Sequence, residues 1–266
     1  MVAIGAILIA FAIWPRLAGA AGYPEALVKI MGLTNDDQVS LVDEDDDDIS
    51  KLRPRSIRNA GRTLGIQAGA SYQHDLIVKT YQEKASSLDR IANFKMLLMY
   101  GNRVLPPVIV TASASRKIES NNMSVETGRS YRIVKEARFV GNPPSWRDYL
   151  MSNVFKVGKV HPKVLPEKDY SKEISIWRKA CVEGWAIGVE QARRVHVQKI
   201  REMERDVIGM VRFSELEKQG LVSLPSIREG RYAIKVGDKT LDINQKTFRI
   251  DRKAHFQSAD KWRVFQ

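Results

Sequence analysis

The sequence predicts an α+β fold: helices, among them one long helix near 172–219, packed on a small antiparallel sheet with a C-terminal β-hairpin. Three observations lead there. Apolar residues recur at three- and four-residue steps through Ile174, Trp177, Cys181, Trp185, Val189, Ala192, Val195, Ile200, Met203, Val207, Met210 and Phe213, with no proline among them. Two strand-like segments, Val108-Ile109-Val110 and Ser130-Tyr131-Arg132-Ile133-Val134, lie on either side of a polar stretch. Near the end, Tyr232-Ala233-Ile234-Lys235-Val236 and Thr240-Leu241-Asp242-Ile243 alternate around Gly237-Asp238-Lys239, the pattern of a hairpin.

Taken in order, the chain begins with Val2 to Trp14, an unbroken run of apolar residues and glycine. That matches the ~7–15 residues of a signal-peptide core and falls short of the ~20 that span a membrane. Ala18-Gly19-Ala20 supplies small residues at a cleavage position, so residues 1–20 read as a signal peptide. Residues 21–50 read as an acidic, disordered arm. They hold few core-forming residues, and Asp43-Glu44-Asp45-Asp46-Asp47-Asp48 places six like charges in a row that favour a solvated chain. Residues 51–266 form the main domain.

Within it, Ser50 to about Ala70 is weakly helical. Gly61, Gly65 and Gly69 fall every fourth residue on one face, where another element can approach closely, at ~1 kcal/mol of helix stability each. A second helix runs from Leu76 to Tyr100 on a stripe of Tyr81, Leu88, Ile91, Phe94, Leu97 and Leu98, and Gly101-Asn102 ends it in a left-handed cap. Pro106-Pro107 excludes a central strand, so Val108-Ile109-Val110 enters a sheet just past the break or lies at its edge. Ser113 to Gly128 is a loop or a hairpin arm. Gly128 to Val140 is a strand with Tyr131 and Ile133 on one side, Arg132 and Val134 on the other. Pro143-Pro144 stops it, and Ser145 caps a short helix carrying Trp146, Arg147, Asp148 and Tyr149. The long helix is unusual for a compact domain. It either breaks, with Gly184, Gly188 and Gly209 as the candidate points, or projects outward; Gly220 ends it. Phe248 and Ile250 extend the terminal hairpin, and Trp262 pins the C-terminus.

Charge narrows the function. The net charge is +12 and the pI about 9.7. Residues 1–48 carry two basic and nine acidic residues, so the remainder carries +19. Nucleic acid, an anionic membrane and an acidic protein are the partners such a surface invites. The basic residues are spread along the chain, with no nucleic-acid-binding motif, and direct nucleic-acid binding is not expected. Neither a phosphate-binding loop, a dinucleotide fingerprint nor a nucleophile elbow is present. His74, His161, His196 and His255 are scattered without zinc-ligand spacing. No catalytic, cofactor-binding or metal-binding residue is nominated, and the chain reads as non-enzymatic. The one cysteine, Cys181, falls on an apolar helix stripe and reads as a small buried residue.

Three ordered blocks resemble one family. They are Asn102-Arg103-Val104-Leu105-Pro106-Pro107-Val108-Ile109-Val110; Ala137 to Leu150, with Pro-Pro-Ser-Trp-Arg-Asp-Tyr-Leu at its core; and Glu183-Gly184-Trp185 with Gly188 and Gln191-Ala192. Across about residues 55–266 their order and spacing resemble the DotC family of type IVB secretion and conjugation systems. These are the Dot/Icm class and the plasmid transfer systems of IncI type, whose counterpart is TraI.

The resemblance implies a structural subunit of the outer-membrane core complex, in the periplasm. It implies assembly with DotD-like and DotH-like subunits into a ring-shaped hetero-oligomer. That family is usually lipid-modified on a cysteine, and Cys181 does not suit that role, so outer-membrane association is expected through partners. The alternative is a periplasmic adaptor held at the inner membrane by an uncleaved N-terminal segment. The candidate structural or interface residues are Leu105, Pro106, Pro107, Arg138, Phe139, Pro143, Pro144, Trp146, Arg147, Asp148, Tyr149, Trp177, Gly184, Trp185 and Gln191. Trp146 is expected to be buried, with Arg147 or Asp148 satisfying backbone groups at the turn.

Overall fold

The computed structural model describes residues 23–35, 47–120, 123–151, 155–236 and 241–262. The predicted signal peptide and most of the acidic run lie outside the described residues. The α-helices among the described residues are α1 (Glu25–Met31), α2 (Asp47–Glu83), α3 (Ala85–Ile91), α4 (Trp146–Leu150) and α5 (Ser171–Lys218). The strands are β1 (Val104–Leu105), β2 (Val108–Ser120), β3 (Met123–Lys135), β4 (Arg138–Phe139), β5 (Ser226–Val236) and β6 (Leu241–Arg252). The class is α+β with a C-terminal hairpin, as the sequence predicts. Among the described residues the strands are shared between three two-stranded antiparallel ladders, β1–β4, β2–β3 and β5–β6. No helix among the described residues is long and apolar enough to cross a membrane.

The chain divides into two compact units, 1–69 with 157–188 and 70–156 with 189–266. Each long helix contributes to both.

In unit 1 the close approach of α2 and α5 decides the packing. A Cβ at Gly65 would collide with the Cys181 carbonyl, one at Gly69 with the Trp185 carbonyl, and one at Gly61 would crowd the Trp177 ring at 3.0 Å. The contact is reciprocal, because a Cβ at Gly184 would collide with the Arg62 carbonyl. The glycine face therefore does what its spacing predicts. Gly184 is a contact point and not a break, and α5 is helical without interruption from Ser171 to Lys218. The first half of α2 is likewise better formed than its glycines suggest: 47–83 is one helix. Backbone-to-backbone packing there offsets the intrinsic cost. Ile57, Leu64, Ala68, Trp177, Ala180 and Cys181 fill the interior. Burial pushes the Cys181 thiol up to about 12, the behaviour of a structural cysteine.

The disordered-arm expectation fails for part of its range. Residues 25–31 form α1, whose Leu27 and Ile30 are buried, and Trp177 Nε1 donates to the Ile30 carbonyl at 2.9 Å. Asn35 pairs with Glu167 and its N–H donates to the Pro166 carbonyl at 2.8 Å. The short apolar pair was enough because a preformed surface receives it. Arg53 then ties α2 to the segment before α5, holding the buried Glu173 through two bonds (2.6 and 3.1 Å) and Glu167 at 3.1 Å.

In unit 2 the helix predicted over 76–100 is divided: α2 ends at Glu83, α3 runs from Ala85 to Ile91, and a single 3-10 turn, Phe94–Leu97, follows. The left-handed residues Tyr100, Gly101 and Asn102 (φ 53°, 69° and 65°) close a tight turn instead, in which Met99 and Val104 exchange backbone bonds at 2.8 and 3.2 Å. The polar stretch 113–128 is a hairpin arm: it makes up the far parts of β2 and β3. At the base of that hairpin, Ile109 packs with Phe213, Leu216, Val222 and Ala254, and Tyr131 and Ile133 lean on the same cluster. Gly209 lets β2 cross α5, since a Cβ there would meet Val108 and Ile109. Gly220, at φ 73°, ends α5 in a Schellman turn: its N–H bonds to the Glu217 carbonyl at 2.8 Å, and that of Leu221 bonds to the Leu216 carbonyl at 2.9 Å. Trp262 does not pin the terminus by burial. It is exposed, and its Nε1 donates to the Gln257 carbonyl at 3.1 Å.

Candidate functional site

Two of the three blocks singled out in the sequence meet in unit 2. Val104 pairs with Phe139 and Leu105 with Arg138, so the Pro-Pro stretch before β2 is joined by a ladder to the chain leading into the second Pro-Pro. Leu105, Pro106 and Pro107 are buried, while Arg138, Phe139 and Pro143 are exposed and Pro144 is half-buried. Proline explains where β1 ends, because Pro106 directly after Leu105 brings no ladder donor.

The second Pro-Pro delivers the chain to α4. The Asp148 carboxylate accepts from the Ser145 backbone N–H at 2.7 Å and from its hydroxyl at 3.1 Å, closing the first turn. This orients the helix so that Trp146 is buried and its Nε1 donates to Asp89 Oδ1 on α3 at 2.7 Å. Arg147 lies over the Trp146 ring, 4.3 Å from its centroid, and grips both oxygens of Asp89 at 2.6 and 3.3 Å. The hydrogen bond from Arg147, then that from Trp146, holds the Asp89 carboxyl below the usual carboxylate range. Trp146 also faces the Tyr81 ring at 6.0 Å.

Tyr149 turns to the other side of α4. Its ring stacks on Phe94 (5.5 Å, 11°), and its hydroxyl donates to Asp206 at 3.0 Å. Burial, then the negative charge of Asp206, pushes the Tyr149 phenol well up. Asp206 is itself buried on α5 and is held by Lys135 Nζ at 2.6 Å and by Arg205 at 2.9 and 3.2 Å. Glu202, one turn earlier, stands 3.3 Å from Lys199 and 3.5 Å from Lys135; the Lys199 bond in particular lowers its pKa. The site is thus a charged knot that joins β3, α4 and α5, beside an aromatic one that joins α3 to α4. Every polar group named in it is engaged by another side chain or by backbone. That is the arrangement of a cross-brace.

Of the third block, Gly184 and Trp185 belong to unit 1, where together with the candidate Trp177 they form its interior seam with α2. Gln191, in unit 2, is exposed. Asp89, Asp206, Lys135 and Phe94 were missed. Phe94 entered only as part of an apolar helix stripe, and Asp206 sits beside Val207 of the α5 stripe, where a buried carboxylate has to find partners.

Residues 51–264 match the family described as "Type IV secretory system, conjugal DNA-protein transfer". No curated protein matches the chain.

Proposed function

The chain belongs to this family of type IV secretory systems, and we propose that within such a system it is a non-enzymatic structural subunit of the outer-membrane core complex. In this reading it lies in the periplasm and reaches the outer membrane through DotD-like and DotH-like neighbours. The observation that carries the proposal is the fate of the Ala137–Leu150 block. Its Trp, Arg, Asp and Tyr side chains are used to brace three helices and a strand, with Asp89 and Asp206 as the acceptors. A segment so rich in reactive residue types, spent on holding its own unit together, suits a scaffold. A catalytic site would leave one such group open to a substrate.

Affinity purification of the C-terminally tagged protein from detergent-solubilised envelopes, with every co-purifying protein identified, tests the reading. DotD-like and DotH-like subunits in one large particle are the expected result. Recovery with inner-membrane proteins only would overturn the outer-membrane placement in favour of an inner-membrane adaptor.

A further inference from the structure

We infer that the β5–β6 hairpin is a docking arm of unit 2, and that its partner is a neighbouring protein subunit offering an acidic surface with a free strand edge. The inference rests on the secretion-assembly reading above and names the part of the chain that makes the contact.

The hairpin has two halves with different chemistry. At its base the register pairs Ile227 with Ile250 and Glu229 with Phe248, which sets Ile227, Phe248 and Ile250 on one face. All three are half-buried, and the Arg103 guanidinium lies over the Phe248 ring at 4.8 Å. That face belongs to the hairpin's own unit. Further out, Tyr232 is in register with Gln245, Ile234 with Ile243 and Val236 with Leu241. Because successive residues alternate sides, Ile243 falls on the opposite face from Phe248 and Ile250. Asn244, at φ 58°, interrupts the regular strand backbone next to Ile243. Ile243, in the outer half, is 66% exposed. An exposed apolar side chain therefore lies past the point where the hairpin's own unit makes use of its apolar residues.

Basic residues lie on both faces of the hairpin. Arg228 is directly opposite Arg249, and Arg231 directly opposite Lys246, all four exposed. Like charges facing across a ladder destabilise it. Two carboxylates offset part of this: Asp251 holds Arg228 at 3.0 Å, and Glu229 holds Arg231 at 2.8 Å and Lys246 at 3.6 Å. Arg249 has no ion pair among the described residues. Four cations against two anions leave an excess that an acidic partner complements.

The backbone makes the third demand. Among the described residues no other strand pairs with β5 or β6, so both long edges present unpaired N–H and C=O groups. A two-stranded ribbon of this length is marginal in water by itself. An incoming strand satisfies an edge and covers the apolar positions together. An anionic bilayer would match the basic residues, but it offers no strand to complete the ladder along an open edge. In hydrocarbon each unsatisfied backbone group costs several kcal/mol. The geometry thus favours protein over lipid.

The test uses the full-length tagged protein in cells carrying the rest of the secretion system. One variant places the photo-crosslinking residue p-benzoylphenylalanine at Ile243. A second combines Arg228→Glu, Arg231→Glu, Lys246→Glu and Arg249→Glu, with Arg249→Glu alone as the milder form should the combination fail to fold. The expected result is a crosslink from position 243 to a subunit that also co-purifies with the unmodified protein. The reversed variant, with an unchanged circular-dichroism spectrum, should recover that subunit about 10-fold less well. A lipid adduct, or loss of binding to phosphatidylglycerol vesicles with subunits retained, would assign the arm to the membrane and overturn the inference. Normal assembly of both charge variants with no crosslink would also overturn it, leaving the proposed function standing. Failure of the unmodified protein to recover any secretion subunit would instead sink the functional reading.

Discussion

His196 is buried on α5, its ring 5.0 Å from that of Tyr81, and its Nε2 has no hydrogen-bond partner among the described residues. Burial, with the charge of His74 adding to it, holds its pKa down to about 4. The folded state therefore favours neutral imidazole, while the unfolded chain takes up a proton near 6.5. Stability from this residue is complete above about pH 6.5, declines as pH falls toward 4, and changes no further below that, with a total on the order of 2 kcal/mol. His196→Phe keeps the aromatic contact and removes the titration. Urea midpoints measured at pH 7 and pH 4.5 should differ clearly less in this variant than in the parent. An equal drop in both would assign the acid sensitivity to another group. At this scale the sequence was partly legible. Trp146 burial and the Asp148 turn followed from local spacing, since a capping pattern spans three residues. Asp89 and Asp206 find Arg147 and Tyr149 from 58 and 57 positions away, a pairing that only the fold creates.

At the scale of elements, glycine spacing announced a helix face made for close contact, but a period cannot name its partner. The partner is α5, and the glycine that looked like a weak point in α5 turns out to be its own side of the seam. This leads to an unusual sign for a helix substitution. Gly65→Ala should gain up to about 1 kcal/mol of intrinsic helix propensity, yet its Cβ would collide with the Cys181 carbonyl and crowd the Trp185 amide at 3.0 Å. Both atoms are backbone, so neither helix can yield by a rotamer change. A net loss of about 1–3 kcal/mol is expected from urea denaturation followed by circular dichroism. Gly141→Ala is the control, because a Cβ there meets nothing within 4 Å; it should be nearly neutral. Equal stability of the two variants would mean that the helices are not in backbone contact. The misplaced end of the 76–100 helix has a related cause. Phe94 continued the apolar period but is buried from a 3-10 turn, and side-chain spacing alone does not distinguish the two.

For the whole molecule, total charge is legible in the sequence and its grouping is not, because each unit is assembled from distant segments. Counted along the chain, the first 48 residues are acidic and the rest basic. Regrouped by unit, unit 1 holds 13 basic and 13 acidic residues, and unit 2 holds 30 against 18. The whole excess of +12 thus belongs to unit 2. Two salt effects then oppose each other. Screening weakens exposed pairs such as Arg228–Asp251 and Arg194–Glu190, each worth roughly 0–1 kcal/mol. Screening also relieves the repulsion among the surplus cations, which acts over the ~30 Å Debye length of 0.01 M salt and shrinks with the ~8 Å length at 0.15 M. The Lys135–Asp206 pair is less affected, since its carboxylate is buried. With twelve uncompensated charges in one unit, relief should win. Raising sodium chloride from about 0.01 to 0.15 M should move the urea midpoint upward, by a gain on the order of 1 kcal/mol. A midpoint that falls with salt would mean that surface ion pairs, and not net repulsion, dominate the electrostatics of this protein.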